Sequence, residues 1–295
     1  MKPAPFEYLA PTSLDEVLTV LNEHGSDAKV LAGGQSLVPA MNFRLAQPKI
    51  LVDLNRLPEL DYIRQDDGTG LRIGAMTRQR RLEVDLTVAE QAPLVAETMP
   101  YVAHPQIRNR GTFGGSFAHA DPAAELPVIA LALGARFLAR STKGQRWIPA
   151  DQFFKGMFTT ELAPEEILIE IELPAMSPGT GWSFMEVARR QGDYAMLGLA
   201  ALLSLDERGA CQSARLVYLN AGDGPVEARE AARSLYGEKL SEAAIETASA
   251  LVDREIEPWG NVHASAAFQR HLARVLTRRA LKQAWERAAQ SAGLS

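Results

Sequence analysis

Two glycine pairs set the first constraint on this chain. Gly33-Gly34 lies within Ala32-Gly33-Gly34-Gln35-Ser36, and Gly114-Gly115 lies within Thr112-Phe113-Gly114-Gly115-Ser116, about eighty residues later. Backbone without a Cβ can turn sharply and let another chain or a ligand come close. The first pair follows Ala28 to Ala32, which reads as a short strand, so successive N–H groups in the turn can face an anion. The second pair is bracketed by hydroxyls, which add side-chain donors. Each loop taken alone is equally well a tight turn. Two of them in one domain point to a diphosphate held by main-chain dipoles and hydroxyls, since neither loop contains a lysine. The first lacks the Gly-Lys-Ser/Thr ending of a P-loop. Arg108 and Arg110 stand close enough in sequence to assist, or else lie solvated on the surface.

A formal charge of −5 disfavours general nucleic-acid binding, which needs an excess of Lys and Arg, so any bound anion is held locally. The single cysteine, Cys211, excludes an internal disulfide and an iron–sulfur cluster, which draws several thiolates from one chain. The five histidines form no metal-binding spacing, and His119-Ala120-Asp121 reads as a loop histidine, not a ligand pair. No stretch reaches the roughly 18 to 20 apolar residues of a membrane span, and no signal-peptide core follows Met1. A cytoplasmic protein is expected. Gly68, Gly70 and Gly74 have the wrong spacing and context for a dinucleotide fingerprint, and there is no Gly-x-Ser-x-Gly elbow.

The pattern of elements is α+β. Ser13 and Glu16 form a capping-box start for a helix carrying Leu14, Val17, Leu18 and Leu21 on one face, which Gly25 stops. Ile50 to Leu54 reads as a strand, as do Asp61 to Gln65 and Leu71 to Met76, joined by the turn-rich run Asp66 to Gly70. Thr77 is placed to cap a helix from Arg78. A buried helix is expected over Glu125 to Leu133, then strands at Arg136 to Ala139, Arg146 to Ile148 and Ile167 to Leu173. The Pro- and Gly-rich run Pro174 to Gly179 marks a domain boundary, dividing the chain into 1–176 and 177–295. Beyond it the pattern predicts strands near 182–190, 195–206 and 211–220, then helices near 226–235, 241–251 and 264–289.

The two glycine loops together resemble the double FAD-diphosphate motif of the medium, flavoprotein subunits of carbon monoxide dehydrogenase and xanthine dehydrogenase-type molybdenum hydroxylases. Similar texture continues through Pro105-Gln106-Ile107-Arg108-Asn109-Arg110-Gly111, His119 to Pro127, Glu165 to Leu168 and Arg189 to Ala195, over essentially the whole chain. The resemblance implies a vanillyl-alcohol-oxidase-type FAD-binding domain, made of two α/β subdomains, followed by a smaller α+β flavoprotein C-terminal domain, with FAD between them. It implies that Ala32, Gly33, Gly34, Gln35 and Ser36, with Thr112, Phe113, Gly114, Gly115 and Ser116, hold the diphosphate. Glu125 then takes the acidic position near the ribityl or ribose hydroxyls, and Leu168 lines the flavin or adenine pocket. Tyr194, by itself a core or interface tyrosine, stacks over the isoalloxazine. The chain departs from the family at Met185-Glu186, where relatives often carry a lysine, and at Gln35, where histidine is frequent. A missing cation would make a reduced flavin anion less favourable.

The resemblance further implies a non-covalent FAD and no catalytic or metal-binding residue in this chain. The molybdenum cofactor and [2Fe-2S] clusters are expected in a molybdopterin-binding large subunit and an iron–sulfur small subunit, assembled as a dimer of heterotrimers that serves an external electron acceptor. Two other readings are a free-standing flavin oxidoreductase on the same fold, similar to the reductase of peptidoglycan precursor synthesis, and a non-catalytic nucleotide-binding module. The helix predicted over 264–289 is basic, with Arg270, Arg274, Arg278, Arg279, Lys282 and Arg287, and is either solvated or a dock for an acidic partner.

Overall fold

The computed structural model describes residues 2–66 and 70–293. The chain begins with a three-stranded parallel sheet in the order Glu7–Leu9, Ile50–Asp53, Ala28–Leu31. The helix Leu14–His24 makes the crossover and buries Val17, Leu18 and Leu21 against Ile50, Val52 and Leu54. Ser13 caps this helix by accepting from the Glu16 amide at 3.3 Å, and Glu16 reaches back to the Thr12 amide at 2.9 Å. The reciprocal bond thus lands one residue before the expected one. Glu7–Leu9 was not anticipated, because three residues of which two are exposed carry no periodic signal.

A five-stranded antiparallel sheet follows, ordered Ile63–Asp66, Gly70–Gly74, Ile167–Pro174, Arg136–Ser141, Gly144–Pro149. The turn proposed at Asp66 to Gly70 lies largely outside the described residues. Thr77 does not cap the next helix. Its hydroxyl donates to the Tyr62 carbonyl and accepts from the Tyr62 amide, while the helix Gln79–Val84 has Arg78 at its N-cap.

The third sheet is antiparallel: Thr180–Ala188, Ala195–Leu205, Cys211–Leu219, Val226–Glu227. Its central strand is apolar on both faces. Leu197, Leu199, Ala201 and Leu203 pack under the long helix Ala266–Ser291, and Ala195, Ala200 and Leu202 pack on the core that contains the helix Glu125–Leu133. The helix comes so close that a Cβ at Gly181 would stand 2.6 Å from the Ala288 nitrogen.

The basic helix is not the free cationic face that the sequence suggested. Arg270 donates to the Asp253 carbonyl, Arg274 pairs with Asp253 at 2.5 Å, Arg278 with Glu246 at 3.3 Å and Arg287 with Glu97 at 2.6 Å. Acids distant in sequence face these arginines, and sequence periodicity cannot show that. Among the described residues no helix is long and apolar enough to cross a membrane.

Glu97 ties the two halves of the chain. From the helix Pro93–Thr98 its carboxylate accepts from Arg287, from Trp182 Nε1 at 3.1 Å and from the Phe184 amide at 3.0 Å. Arg287 also donates to the Trp182 carbonyl at 2.8 Å and lies 5.1 Å from its ring centre. Removing the carboxylate strands a partly buried cation and two N–H donors, so Glu97→Ala is expected to lower stability by about 2 to 3 kcal/mol in a urea titration. An unchanged midpoint would mean that apolar packing alone joins the halves.

Candidate functional site

The two glycine loops meet. A Cβ on Gly33 would collide with the Arg110 carbonyl oxygen and lie 2.8 Å from the Gly111 Cα, and one on Gly115 would stand 3.5 Å from the Ala32 Cβ. Ala32 to Ser36 join the strand Ala28–Leu31 of the parallel sheet to the short helix Leu37–Asn42. Thr112 to Ser116 open the helix Phe113–His119, which packs on the antiparallel sheet. The site is therefore built where the first two sheets adjoin.

The first loop is a nest of free amides. Four of its five carbonyls are engaged: Ala32 O accepts from Asn55 Nδ2 at 3.0 Å, Gly33 O from Gln35 Nε2 at 2.9 Å, Gly34 O from the Val38 amide at 3.1 Å and Ser36 O from the Ala40 amide at 3.1 Å. In a trans peptide the C=O and the following N–H point in opposite directions, and no peptide bond among the described residues is cis. Holding the carbonyls thus turns the N–H groups of Gly33, Gly34, Gln35 and Leu37 the other way. Among the described residues the amides from Gly33 to Leu37 have no protein acceptor. Gly34 sits at φ +73°, the left-handed conformation that lets successive N–H groups converge. The Ser36 side chain makes no capping bond.

The second loop is a different device from the first. Its amides go to protein acceptors: Phe113 N to Thr77 O, Gly114 N to Ala75 O, Gly115 N to Thr112 Oγ1 at 3.2 Å and Ser116 N to Thr112 O. The Phe113 ring is 1% exposed and packs edge-on against Phe117 in the core, so it does not face the first loop's nest. Gly115 has no positive φ. What a Cβ would meet there is the capping hydroxyl of Thr112, at 2.6 Å, and at Gly114 it would meet Ala75 Cα at 2.8 Å. This loop is the floor on which the first loop rests.

Arg108 is neither solvated nor free for an anion. It is buried, pairs in two bonds with Glu83 at 2.9 Å each, and donates to the carbonyls of Val102 and Ala103 at 3.0 and 2.8 Å. Its bonds hold the Glu83 carboxyl below the ordinary carboxylate range. Arg110 is exposed beside the first loop.

The helix Phe113–His119 ends at Ala120 in the left-handed region, φ 51° and ψ 45°, which turns the chain to Asp121 and to the buried Glu125 at the start of Glu125–Leu133. Burial, with the Asp121 charge added, pushes the Glu125 carboxyl up to about 7. Glu186, on Thr180–Ala188, is pushed up to about 8 by burial and by Glu125, and its Oε2 has no partner among the described residues. Its neighbour Met185 packs towards the opposite, helix-covered side. At Met185-Glu186 the side chain turned to this face is thus an acid that stays largely protonated at neutral pH. The His119 ring lies 5.0 Å from Phe158, and burial lowers its pKa.

Tyr194 projects from the turn between two strands, 67% exposed, with its hydroxyl towards Asp121. A cavity of about 340 Å³ beside it is lined by Asp121, Tyr194, Met196, Asn220, Asn261 and His263. Leu168 is buried in the core with Phe113 and Phe117, next to a β-bulge at Ile169. Asn55, Arg78, Asn261 and His263 were not singled out from sequence. Only Asn55, just after a strand paired with the one bearing the first loop, had a positional signal there.

Residues 4–176 match the family model described as the FAD binding domain in molybdopterin dehydrogenase, and residues 182–284 match the CO dehydrogenase flavoprotein C-terminal domain. The chain is 42% identical to subunit alpha of the 6-hydroxypseudooxynicotine dehydrogenase complex of Paenarthrobacter nicotinovorans, covering 98% of this chain and 97% of that one. It is similar to the solved carbon monoxide dehydrogenase of Hydrogenophaga pseudoflava, with TM-score 0.94, 38% identity and coverage of 97% and 99%. It is also similar to quinoline 2-oxidoreductase of Pseudomonas putida 86, with TM-score 0.92, 40% identity and coverage of 98% and 99%.

Two outcomes follow from this geometry. Gly33→Ala forces the loops apart and is expected to weaken FAD binding at least about tenfold by fluorescence titration, whereas Gly224→Ala, whose Cβ meets nothing nearer than 4.0 Å, leaves it unchanged. Equal affinity in the two variants would remove the loop contact from the site. For Glu186 the folded pKa, about 8, lies above the unfolded value near 4.5. Its share of stability is therefore complete below pH 4.5 and is lost as pH rises through 8. Glu186→Gln is accordingly expected to stabilise the FAD-free protein by at least about 1 kcal/mol at alkaline pH and by little under acid conditions; a pH-independent difference would contradict this.

Proposed function

The chain belongs to the FAD-binding flavoprotein subunits of molybdopterin dehydrogenases, and from that premise we propose that it takes electrons from a partner's iron–sulfur clusters and delivers them to an external acceptor. It is an FAD-carrying oxidoreductase subunit, and the molybdenum and iron–sulfur cofactors belong to other subunits of such complexes. The observation that carries the reading is the nest at Gly33 to Leu37. Among the described residues its amides have no acceptor, beside a glycine contact that admits no side chain, which suits a diphosphate. The residues present fit FAD.

In this proposal Ala32 to Ser36 bind the diphosphate through their amides and the Ser36 hydroxyl. Thr112 to Ser116 hold that loop from beneath. Glu125, near half-protonated at neutral pH, can both give and accept a hydrogen bond at a ribityl or ribose hydroxyl. Leu168 supplies an apolar wall, and the exposed face of Tyr194 can stack on a flat ring and limit water there. Bound FAD supplies the capacity to accept electrons singly and release them in pairs. The domain boundary is placed between residues 176 and 177, supported by the two family matches and by the change from the second sheet to the third.

The substrate of the complex is not read from this subunit. Relatives named for carbon monoxide, quinoline and 6-hydroxypseudooxynicotine share its length and, where solved, its fold, which supports a carrier role independent of the compound oxidised. We propose a cytoplasmic dimer of heterotrimers, with a molybdopterin-binding and an iron–sulfur subunit as partners. One buried thiol, Cys211, cannot build the cluster relay. The isolated chain is expected to hold FAD that acid precipitation releases and to give no iron–sulfur signal by electron paramagnetic resonance. Its flavin absorbance should stay unbleached by the complex's substrate until both partners are added. Rapid anaerobic bleaching of the isolated chain by that substrate would place the chemistry here and favour a free-standing flavoenzyme.

A further inference from the structure

The loop contact is fastened from outside the two glycine motifs. Asn55, just beyond the strand Ile50–Asp53, donates from Nδ2 to the Ala32 carbonyl at 3.0 Å. Its Oδ1 accepts from Arg78 NH2 at 2.5 Å, and Arg78 NH1 donates to the Arg110 carbonyl, the same oxygen that abuts Gly33. Asp53 steadies Asn55 through bonds to its amide and side chain at 2.9 and 2.5 Å, and Tyr8 donates to the other Asp53 oxygen at 2.5 Å. One chain of polar contacts thus runs from the parallel sheet, by way of the Ala32 carbonyl of the first loop, to Arg78 at the start of the helix Gln79–Val84 and the Arg110 carbonyl just ahead of the second loop.

We propose that Asn55 and Arg78 are positioning residues for the diphosphate half of the FAD site, clamping the Ala32 and Arg110 carbonyls so that the Gly33 amide is aimed at the anion. The inference rests on the diphosphate reading given above. Because the Ala32–Gly33 peptide is trans, fixing the Ala32 oxygen fixes the direction of the Gly33 N–H. Arg78 is suited to the task because its planar fork reaches two acceptors at once. Lysine has a point charge on a flexible stem and holds such a pair less well. The bonds of Asn55 lie at an exposed position, so they add little to global stability. They act on the direction of one peptide plane, and misaimed donors lose binding steeply.

The test uses the full chain freed of FAD and titrated with FAD, ADP and riboflavin, which separate the diphosphate half from the flavin half. Asn55→Ala and Arg78→Ala are each expected to weaken FAD and ADP by about tenfold or more while riboflavin affinity and the melting temperature stay the same. Arg78→Lys keeps the charge and is expected to lose ADP affinity nearly as much. Full rescue by lysine would show that charge alone matters and would overturn the positioning role, as would equal losses for ADP and riboflavin. Gly34→Val serves as the reference: if it too leaves ADP and FAD affinity intact, the diphosphate reading fails first. If Gly34→Val abolishes binding while the Asn55 and Arg78 variants bind as the wild type does, the clamp alone is wrong.

Discussion

The site depends on a contact that no side chain can occupy. Gly33 lies directly on the Arg110–Gly111 backbone, and Gly114 lies on Ala75, so three segments from two sheets meet at van der Waals distance. Close approach gives the first loop a rigid floor, and rigidity matters because among the described residues its N–H groups have no acceptor to hold them in place. An anion bound there meets dipoles already oriented, without the cost of ordering a loop at the moment of binding. This is how an acidic chain can hold a doubly charged diphosphate with no lysine in either loop.

The rest of the molecule supports that contact. The buried Arg108–Glu83 pair fixes the segment leading into the second loop, where breaking either partner would leave an uncompensated charge. Glu97 and Arg287 hold the third sheet to the first half of the chain, and that sheet brings Glu186 towards Glu125 and sets Tyr194 beside Asp121. The arginines of the long helix serve this packing too. With four of the six engaged by Asp253, Glu246 and Glu97, the helix is a brace more than a cationic docking face.

The acids around the second half of the site share one electrostatic logic. Glu125 and Glu186 are both buried, the charge of Glu125 helps to raise Glu186 while that of Asp121 helps to raise Glu125, and among the described residues neither acid pairs with an arginine or lysine. At neutral pH the two acids therefore carry less than full charge.

Much of the fold was legible in sequence because its signals are local. The capping box at Ser13, the apolar run of Glu125–Leu133 and the apolar–acidic alternation within Ile167–Pro174 follow from the spacing of neighbouring residues, and each element formed within a few residues of its expected bounds. The glycine pairs likewise announced a close approach, since only backbone without Cβ permits it. Sequence alone determined that two loops of this kind exist and that the chain lacks the thiols for a cluster. Tertiary structure decided which loop keeps its amides free, that Arg108 is buried while Arg110 stays exposed, and that Asn55 and Arg78 join two loops far apart in the chain. Those outcomes depend on which groups distant in sequence satisfy one another's hydrogen bonds and charges, and that partnership exists only once the sheets have packed.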